Sequence, residues 1–383
     1  MEKIVGGNFK SFLKIISLFG LALVLVFGLV GCGEEVEEDP DADDDVEVEG
    51  EVDLGFSTWH VPEGREVQNV WAPMLEELEA KSDGAISTST YYGGALGDGE
   101  EHFDIVADGL SDFGYFTATW TPDRFPLSDV LSMPAAIRGK DVAVEIGNEM
   151  YDQILYQDFE DHDVELLHLN GCVSSFIWTT EPVETIEDLD GMRLRTPGGL
   201  QTYMIEALGA EPVFMALGDV YMQMETGDID GIVTCPQLVQ AFSLYEVADH
   251  AVVTDFGCVT EGVVMNQNTW DSLSEDQKEI VEEVTENPYE LTGGLSEAAI
   301  DDTIDELPDM GDGIEFYQLP EDEAERWHER FEEEVVTDWV DNLEEDGLPG
   351  REALLRYKAE LEKHDIDFPA FPEEWEDDVE EYR

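Results

Sequence analysis

The sequence predicts an α/β protein whose strands and helices form two consecutive blocks. Three observations support this prediction: a length of 383 residues, a hydrophobic content of 42%, and a regular alternation of strand-like and helix-like segments. Domains usually contain about 100–200 residues, so the length suggests two domains or one bilobal unit. The apolar content is sufficient for a sizeable core, because disordered acidic chains are poor in aromatic and aliphatic residues.

The first block alternates strands and helices. Val67, Val70, Trp71, Met74 and Leu75 recur at helical spacing and predict an amphipathic helix. This alternation predicts a parallel sheet with right-handed crossovers. In chain order, the predicted segments are strand 52–58, helix 63–81, strand 86–92, helix 98–108 and strand 112–116.

The second block also alternates strands and helices. Gly209 and Gly227 each stand where a helix needs a C-terminal cap. Ser274 and Gln277 predict a capping box for a helix that continues to residue 286. The predicted strands are 163–169, 175–179, 191–196, 211–216 and 230–234, with helices at 199–208 and 219–226. Beyond residue 319 the chain is acidic and helical, with an apolar stripe typical of a packing face: Trp327, Phe331, Val335, Trp339 and Leu343.

The charge is extreme: 93 Asp and Glu face 18 Lys and Arg, for a formal net charge of −75. Nucleic-acid binding through a basic face is excluded, because phosphates would meet carboxylates over most of the surface. In dilute buffer the self-repulsion would strain the compact state, whereas at about 1 M salt the screening length falls to about 3 Å. The acids run from Glu34 to the C-terminus, so an acidic tail does not explain them. The composition therefore indicates adaptation to a very salty environment.

The N-terminus predicts export. Lys3, Lys10 and Lys14 precede an apolar run at 15–30, which matches a signal peptide and is short for a spanning helix. The run ends at Leu29-Val30-Gly31-Cys32, which resembles a bacterial lipobox whose cysteine (Cys32) is acylated. A transmembrane anchor is the alternative. Residues 1–31 are thus predicted as a lipoprotein signal peptide and 32–51 as an acidic tether, which would hold the protein outside the cytoplasmic membrane.

Three cysteines remain beyond the lipobox: Cys172, Cys235 and Cys258. An odd number without CxxC spacing argues against a disulfide framework and against a zinc site. One pair could form a disulfide, but small buried hydrophobic residues are the favoured interpretation.

An arginine at the end of a predicted strand is the first candidate for binding. Arg195 stands at the carboxyl end of strand 191–196, where ligands bind in open α/β sheets. An arginine there can bind a carboxylate through two parallel hydrogen bonds, and Gly198 lets backbone amides approach the same anion. The alternative is a structural pair with a neighbouring acid, which is the role we assign to Arg193.

An ordered series of motifs resembles the solute-binding proteins of tripartite ATP-independent periplasmic (TRAP) transporters, of the dicarboxylate-binding type. Each motif is weak alone, but their order is kept from about residue 52 to 286. The series comprises Tyr92-Gly93-Gly94, Leu96-Gly97, Phe125-Pro126-Leu127, Met133-Pro134, Arg195-Thr196-Pro197, Ala207-Leu208-Gly209-Ala210-Glu211-Pro212-Val213, Asp219-Val220-Tyr221, Gly227-Asp228-Ile229-Asp230-Gly231 and Leu244-Tyr245-Glu246-Val247.

The resemblance implies a two-lobed, periplasmic-binding-protein-like fold of class II type, with mixed sheets flanked by helices, a hinge and C-terminal helices. Lobe I would comprise 52–172 plus about 262–300, lobe II 173–261, and 301–383 would form helices on the hinge or lobe II, or a homodimer surface. It also implies that the strand-end arginine, matching Arg195, forms a salt bridge to an organic acid. The captured solute would pass to a permease of a small and a large membrane subunit, driven by an ion gradient.

The chain departs from the family pattern at several positions. Some sugar-acid-binding members have a second arginine upstream, where this chain has Ser175. Leu217 occupies a position often filled by an aromatic residue, and Thr234 falls in a segment where those members have an asparagine. The pocket is therefore predicted to be less polar, which favours a simple mono- or dicarboxylate.

Further pocket candidates follow the predicted strands. Trp59 and His60 come after the first strand, where a ligand-facing loop belongs, and His60 either donates to a ligand oxygen or lies in solvent. The remaining candidates are Tyr92, Phe116 (more typical of core packing), Trp178 (cleft or interlobe core), Thr234 and the weaker Gln237.

The rival class is a membrane-anchored secreted hydrolase or another surface lipoprotein. The seven histidines have no HExxH spacing, and neither a GxSxG elbow nor a phosphate loop occurs. The sequence therefore predicts a binding protein rather than an enzyme, with no cofactor and no metal.

Overall fold

The computed structural model describes residues 50–121, 123–254 and 256–383. The predicted signal peptide, Cys32 and nearly all of the acidic tether lie outside these residues. The strands are β1 Val52–Ser57, β2 Ile86–Tyr91, β3 Phe113–Thr117, β4 Val164–Gly171, β5 Phe176–Thr179, β6 Arg193–Thr196, β7 Glu211–Phe214, β8 Gly231–Thr234, β9 His250–Val253, β10 Thr260–Asn266 and β11 Glu315–Gln318. The α-helices are α1 Ala72–Lys81, α2 His102–Ala107, α3 Lys140–Gln153, α4 Gly199–Ala207, α5 Leu217–Thr226, α6 Pro236–Ala241, α7 Gln267–Ser272, α8 Glu275–Thr285, α9 Pro288–Thr292, α10 Glu297–Glu306, α11 Glu321–Phe331, α12 Thr337–Glu345, α13 Gly350–Lys363 and α14 Glu376–Val379.

The first sheet has the strand order β2-β1-β3-β10-β4. Strands β1, β2 and β3 are parallel, as the alternation of the first block predicts. Strand β10 is antiparallel to both β3 and β4, so the sheet is mixed. The expectation of a parallel sheet is therefore correct only for the first three strands. The difference arises because β10 pairs with strands that lie far away in the chain, which a local pattern does not reveal.

The second sheet has the order β11-β9-β5-β8-β6-β7 and is also mixed. Strands β6, β7 and β8 are parallel, whereas β5 runs antiparallel to β8 and β9. Strand β11 pairs with β9, so the C-terminal segment supplies a strand as well as helices. Together the two sheets and their flanking helices confirm the predicted fold class.

Helix boundaries follow the local signals closely. Gly209 and Gly227 have φ values of +89° and +74°, the left-handed conformation that suits glycine after a helix. The Ser274 hydroxyl accepts from the Gln277 backbone N–H at 3.2 Å, and the Gln277 side chain accepts from the Ser274 N–H at 3.0 Å. This capping box opens α8, as predicted.

The C-terminal helices pack on both halves of the molecule. The stripe Trp327, Phe331, Val335, Trp339 and Leu343 is buried in the largest core cluster, together with apolar residues of α4. Helix α13 reaches the first half, where the Gln153 side chain of α3 donates to Glu360 at 2.7 Å. The stripe is thus a packing face within this chain. Within the described residues, no helix has the length and apolarity needed to cross a membrane.

Candidate functional site

A cavity of about 530 Å³, including the part open to solvent, lies between the two sheets. Its walls come from the carboxyl ends of parallel strands: residues after β1 and at the end of β3 on one side, and residues of β6 and β8 on the other. Ligands in α/β proteins bind at this edge because loops and helix N-termini converge there. The geometry therefore places the candidate site between the two halves.

Arg195 is the central cation of this cavity. It lies on β6, its side chain is 4% exposed, and its Nε donates to the Met215 carbonyl oxygen at 3.1 Å. Burial lowers the pKa of Arg195 to about 10, so the guanidinium remains charged at neutral pH. Within the described residues, no carboxylate lies within ion-pair distance of this guanidinium. A buried charge without a counterion is costly, so the site is suited to an anion from outside the chain.

The absence of a carboxylate partner distinguishes Arg195 from thirteen other cations of the described ranges. On the same strand, the Arg193 guanidinium lies 3.1 Å from Asp230, which confirms the predicted acid pair. In those ranges the following Lys and Arg side chains each have a carboxylate oxygen within 4.0 Å: Arg65, Lys81, Arg124, Lys140, Arg193, Lys278, Arg326, Arg330, Arg351, Arg356, Lys358, Lys363 and Arg383.

Aromatic rings form one wall of the cavity. The rings of Trp59 and His60 stack with centroids 4.1 Å apart, and Trp120 lies 5.3 Å from Trp59. His60 Nδ1 accepts from the Trp71 indole N–H at 3.3 Å and lies 2.8 Å from the Thr58 hydroxyl. Burial, aided by the nearby Lys140, holds the pKa of His60 well below its usual value. His60 is therefore neutral, and its Nε2 carries the proton.

A second charged group on the cavity wall is internally compensated. Lys140 and Glu261 form a buried ion pair, with side chains 2% and 4% exposed. The Glu261 carboxylate also accepts from the Tyr115 hydroxyl and from the Asn170 amide, the latter at 3.1 Å. This cluster satisfies the lysine charge within the chain, so Lys140 is not left for a ligand.

Several buried polar atoms on the cavity wall have no hydrogen-bond partner. They are Trp59 Nε1, Thr117 Oγ1, Gln201 Oε1 and Gln237 Oε1. The amide nitrogens of the two glutamines are satisfied, since Gln201 donates to Ser175 at 3.0 Å and Gln237 donates to Cys172 at 3.6 Å. Buried polar groups are usually paired, so these atoms indicate positions for a solute or for water.

Six of the ten predicted ligand-binding residues line this cavity. They are Trp59, His60, Arg195, Leu217, Thr234 and Gln237. They come from three strand ends and two helix starts, and the folding of the two sheets brings them together.

The other four predicted residues lie outside the cavity lining. Phe116 is 1% exposed and packs against Phe103 and Phe125, because its side chain faces the core side of β3. Trp178 is fully buried beside Phe316, and its indole N–H donates to the Thr234 carbonyl at 2.9 Å. Both aromatic residues therefore pack within the core and do not line this cavity.

Tyr92 and Gly198 also take structural positions. Tyr92 is partly buried and packs against the core of the first half. Gly198 has a φ of +110°, and a Cβ there would lie 3.3 Å from the Thr119 carbonyl oxygen. The glycine permits a close backbone approach between the two halves beside the cavity.

Sequence reasoning missed several wall residues, including both members of the buried ion pair. Lys140 had one available signal, since lysines are scarce in this chain and it begins a helix. Gln201 lies within the first turn of the helix that follows Arg195. The missed polar and charged residues are Glu66, Thr117, Lys140, Ser175, Gln201 and Glu261, together with Trp120.

The cavity combines the guanidinium of Arg195, which has no carboxylate partner among the described residues, with an aromatic wall and unpartnered polar atoms. The described residues bring together no group of three or more side chains with metal-ligating chemistry. Two α/β halves around such a cavity define the class of periplasmic-type solute-binding proteins.

Residues 56–339 match the family of bacterial extracellular solute-binding proteins, family 7 (DctP). The chain belongs to this family, the solute-binding component of TRAP transporters. The family comprises extracytoplasmic binding proteins for transport rather than enzymes, and the hydrolase alternative is not favoured.

The chain is similar to curated relatives over most of its length. It is 25% identical to the ectoine-binding periplasmic protein TeaA of Halomonas elongata, covering 77% of this chain and 86% of the relative. It is 24% identical to the C4-dicarboxylate-binding periplasmic protein DctP of Rhodobacter capsulatus, covering 75% and 85%.

Solved structures show the same fold. A TRAP solute-binding protein from a marine metagenome, in complex with 3-hydroxybenzoate, superposes with a TM-score of 0.76 at 25% identity, covering 82% of this chain and 99% of that chain. A TRAP solute-binding protein from Rhodoferax ferrireducens, in complex with benzoate, gives 0.74 at 23% identity, covering 82% and 98%.

Proposed function

We propose that this protein captures an organic monocarboxylate between its two halves and delivers it to a TRAP-type permease. The observation that carries this proposal is the guanidinium of Arg195, which is buried and charged and lacks a carboxylate partner within the described residues. A solute carboxylate would complete its hydrogen bonds bidentately. Lys140, the other cation on the cavity wall, is already paired with Glu261. The site therefore favours a solute with one carboxylate over a solute with two.

The solute is a compact, ring-bearing acid. The names of several relatives refer to such molecules: ectoine, benzoate, 3-hydroxybenzoate and mandelate all combine a ring with a carboxylate. In this chain the rings of Trp59 and Trp120, with Leu217 beside them on the wall, provide apolar surface for a ring. Sugar acids are less suitable, because this chain has Ser175 where some sugar-acid-binding members of the family have a second arginine.

Delivery requires a membrane partner and attachment near it. We assign the partner to the small and large permease subunits implied by the family. The N-terminal segment supports attachment through acylated Cys32, which would place the protein on the outer face of the cytoplasmic membrane. Mass spectrometry of the N-terminal peptide tests this attachment, since a diacylglyceryl group on Cys32 is expected and an unprocessed Met1 terminus would contradict it.

A thermal-shift screen in about 2 M potassium chloride tests the binding function, since that salt concentration screens the surface charge. The panel contains benzoate, 3-hydroxybenzoate, mandelate, ectoine, succinate and glucuronate. A solute at about 100-fold over its dissociation constant stabilises the protein by about 2.7 kcal/mol, which raises the melting temperature measurably. Calorimetric titration of each positive compound then gives affinity and stoichiometry.

The expected result is a saturable shift with at least one ring-bearing monocarboxylate and a stoichiometry of one. Equal shifts in melting temperature with every anion, including inorganic phosphate at the same ionic strength, would show nonspecific charge screening and would contradict the proposal. A shift with succinate alone would move the assignment to dicarboxylates.

A further inference from the structure

The carboxyl group of Glu66 lies on the cavity wall without a partner from elsewhere in the described chain. Glu66 precedes the helical segment Val67–Trp71 and is 4% exposed. No described side chain donates to its carboxylate or pairs with it within 4.0 Å, and its own backbone N–H is the one hydrogen-bond donor near it. Burial raises the pKa of Glu66, while the charge of Lys140 opposes this increase.

Two cations lower the pKa of this carboxyl group, Lys140 and Arg65, but each is paired with another carboxylate. Arg65 lies 3.2 Å from Glu306. Lys140 is paired with Glu261, whose carboxylate also accepts from Tyr115 and Asn170. The lysine and the glutamate cancel each other, and His60 is neutral. The cavity is therefore left with two uncompensated groups: the Arg195 guanidinium on the second half and the Glu66 carboxyl on the first.

The charge balance discriminates between solute classes. A simple carboxylate would neutralise Arg195 but leave Glu66 buried alone, either charged at a high cost or protonated. A solute that carries a carboxylate and a cationic nitrogen would compensate both groups and would leave the cavity neutral. Such a solute would also bridge the two halves, since its ends are bound by opposite walls.

The unpartnered polar atoms support the same solute class independently. Gln201 Oε1 and Gln237 Oε1 are buried acceptors that need N–H or O–H donors. A carboxylate group provides only acceptors, so an acid without a hydroxyl or N–H group would leave both amide oxygens unsatisfied. The rings of Trp59 and Trp120 are also compatible with a cation, because aromatic faces attract ammonium and amidinium groups.

We infer that the solute is a zwitterion, whose carboxylate binds Arg195 and whose ammonium or amidinium group binds Glu66. This inference rests on the proposed function, since it identifies the solute class of the same cavity. Glu66 then acts as a specificity-determining residue, selecting zwitterions over simple anions of the same size.

Matched solutes isolate the contribution of the cationic nitrogen. Pipecolate and cyclohexanecarboxylate share a six-membered ring with a carboxylate and differ by one ring NH₂⁺ group. Proline and cyclopentanecarboxylate form the five-membered pair, and ectoine adds an amidinium. Titration calorimetry with the full chain in about 2 M potassium chloride would compare the members of each pair for the wild type and for Glu66→Gln. Glu63→Gln is the control, because Glu63 is exposed and lies outside the cavity lining.

The expected result is that at least one zwitterion binds about 100-fold more tightly than its matched anion. Glu66→Gln should reduce that preference at least tenfold while leaving the affinity for the anion unchanged or higher, and Glu63→Gln should preserve it. Melting temperatures of the three proteins without solute establish that each is folded. If Glu66→Gln is unfolded, Glu66→Asp, which keeps the charge but shortens its reach, provides the second comparison and should weaken zwitterions selectively.

The two proposals fail in distinguishable ways. Simple anions that bind as tightly as their zwitterionic partners, with Arg195 required for both, overturn the zwitterion assignment and leave the monocarboxylate function standing. A Glu66→Gln variant that weakens binding of the zwitterion and of its matched anion equally also overturns the zwitterion assignment. Binding of neither class to the wild type overturns the proposed function together with this inference.

Discussion

The sulfur atoms of Cys172 and Cys235 lie 3.5 Å apart, although the two residues come from opposite halves of the molecule. Cys172 follows β4 of the first sheet, and Cys235 follows β8 of the second. Both thiols are free, buried and part of the cavity wall. A disulfide between them would join the two halves covalently beside the solute.

Oxidation of this pair is our first prediction. With oxidised glutathione, the two thiols should lose two protons and two electrons to form one disulfide, while one glutathione disulfide is reduced to two thiols. The hydrogen bond to Cys235 and burial raise the pKa of Cys172, so the reaction should be slow at neutral pH and faster in alkali. Peptide mass spectrometry should find the Cys172–Cys235 linkage and a loss of two free thiols.

Cys258→Ser is the matched control, because Cys258 is also buried and free. It should retain the disulfide, whereas Cys235→Ser should abolish it. Linkage through Cys258, or an unchanged thiol count after prolonged oxidation at alkaline pH, would contradict the prediction. In the oxidised protein, solute release should slow, which stopped-flow measurement of the dissociation rate would detect.

Substitution of Arg195 is the second prediction. Arg195→Ala should weaken carboxylate binding at least about 30-fold, because losing one partner of a buried charge pair costs about 2–5 kcal/mol. Arg195→Lys should be intermediate, since an ammonium keeps the charge but loses the bidentate geometry. Arg193→Ala is the control: Arg193 lies on the same strand as Arg195, but its guanidinium pairs with Asp230 and lies outside the cavity lining. Calorimetry should show a change in affinity of less than about threefold for Arg193→Ala. An equal loss of affinity in Arg195→Ala and Arg193→Ala would refute the proposal that Arg195 binds the solute carboxylate.

The buried carboxyl group of Asp129 supplies a third prediction. Burial, together with the neighbouring Asp158, raises the pKa of Asp129 to about 8 in the folded protein. In the unfolded chain the pKa is about 3.9. Between these values the unfolded chain releases a proton that the folded protein keeps, so the free energy of unfolding falls as the pH rises from about 4 to about 8.

Asp129→Asn should remove this pH dependence. Its melting temperature should exceed that of the wild type at pH 8 by at least about 2 °C, and the difference should shrink towards pH 5. Thermal melts at both pH values measure the effect, with the exposed Asp123→Asn as the control. An Asp129→Asn variant that is equally destabilised at both pH values would show that the carboxyl group makes a contact not replaced by an amide.

Salt dependence is the fourth prediction. With a formal net charge of −75, the folded protein should gain stability as potassium chloride rises from about 0.1 to about 2 M, because screening reduces its self-repulsion. The melting temperature should increase steadily over this range. Sucrose at matched osmolality is the control and should have a smaller effect. A melting temperature that is independent of salt would remove the case for adaptation to a saline environment.

Local sequence signals predicted much of the fold. The spacing of Val67, Val70 and Trp71, the glycines after α4 and α5, and the Ser274–Gln277 capping box each act over a few residues. The strand-end position of Arg195 is similarly local. Such features were predictable because the interacting groups lie close together in the chain.

The strands β9, β10 and β11 were not predicted from local signals. Strand β10 lies between β3 and β4, so Glu261 stands opposite Thr117 and reaches the cavity wall. Hydrophobic runs of this kind show only that a segment is buried, while the pairing partner depends on the other strands. The same reason explains why Phe116 and Trp178 lie in the core rather than at the cavity: the side of the sheet that each residue faces follows from register.

The sequence by itself determined the class of this protein: an exported, acidic α/β binding protein with a cation at a strand end. Only the tertiary structure decided which cations are already neutralised and which carboxyl group is left alone. Arg195 and Glu66 are candidate binding groups because neither has an oppositely charged partner among the described residues. This is visible only in three dimensions, since compensation of a buried charge depends on groups within a few ångströms in space. The Lys140–Glu261 pair shows the same principle, since its members are brought together by packing of α3 against the sheet.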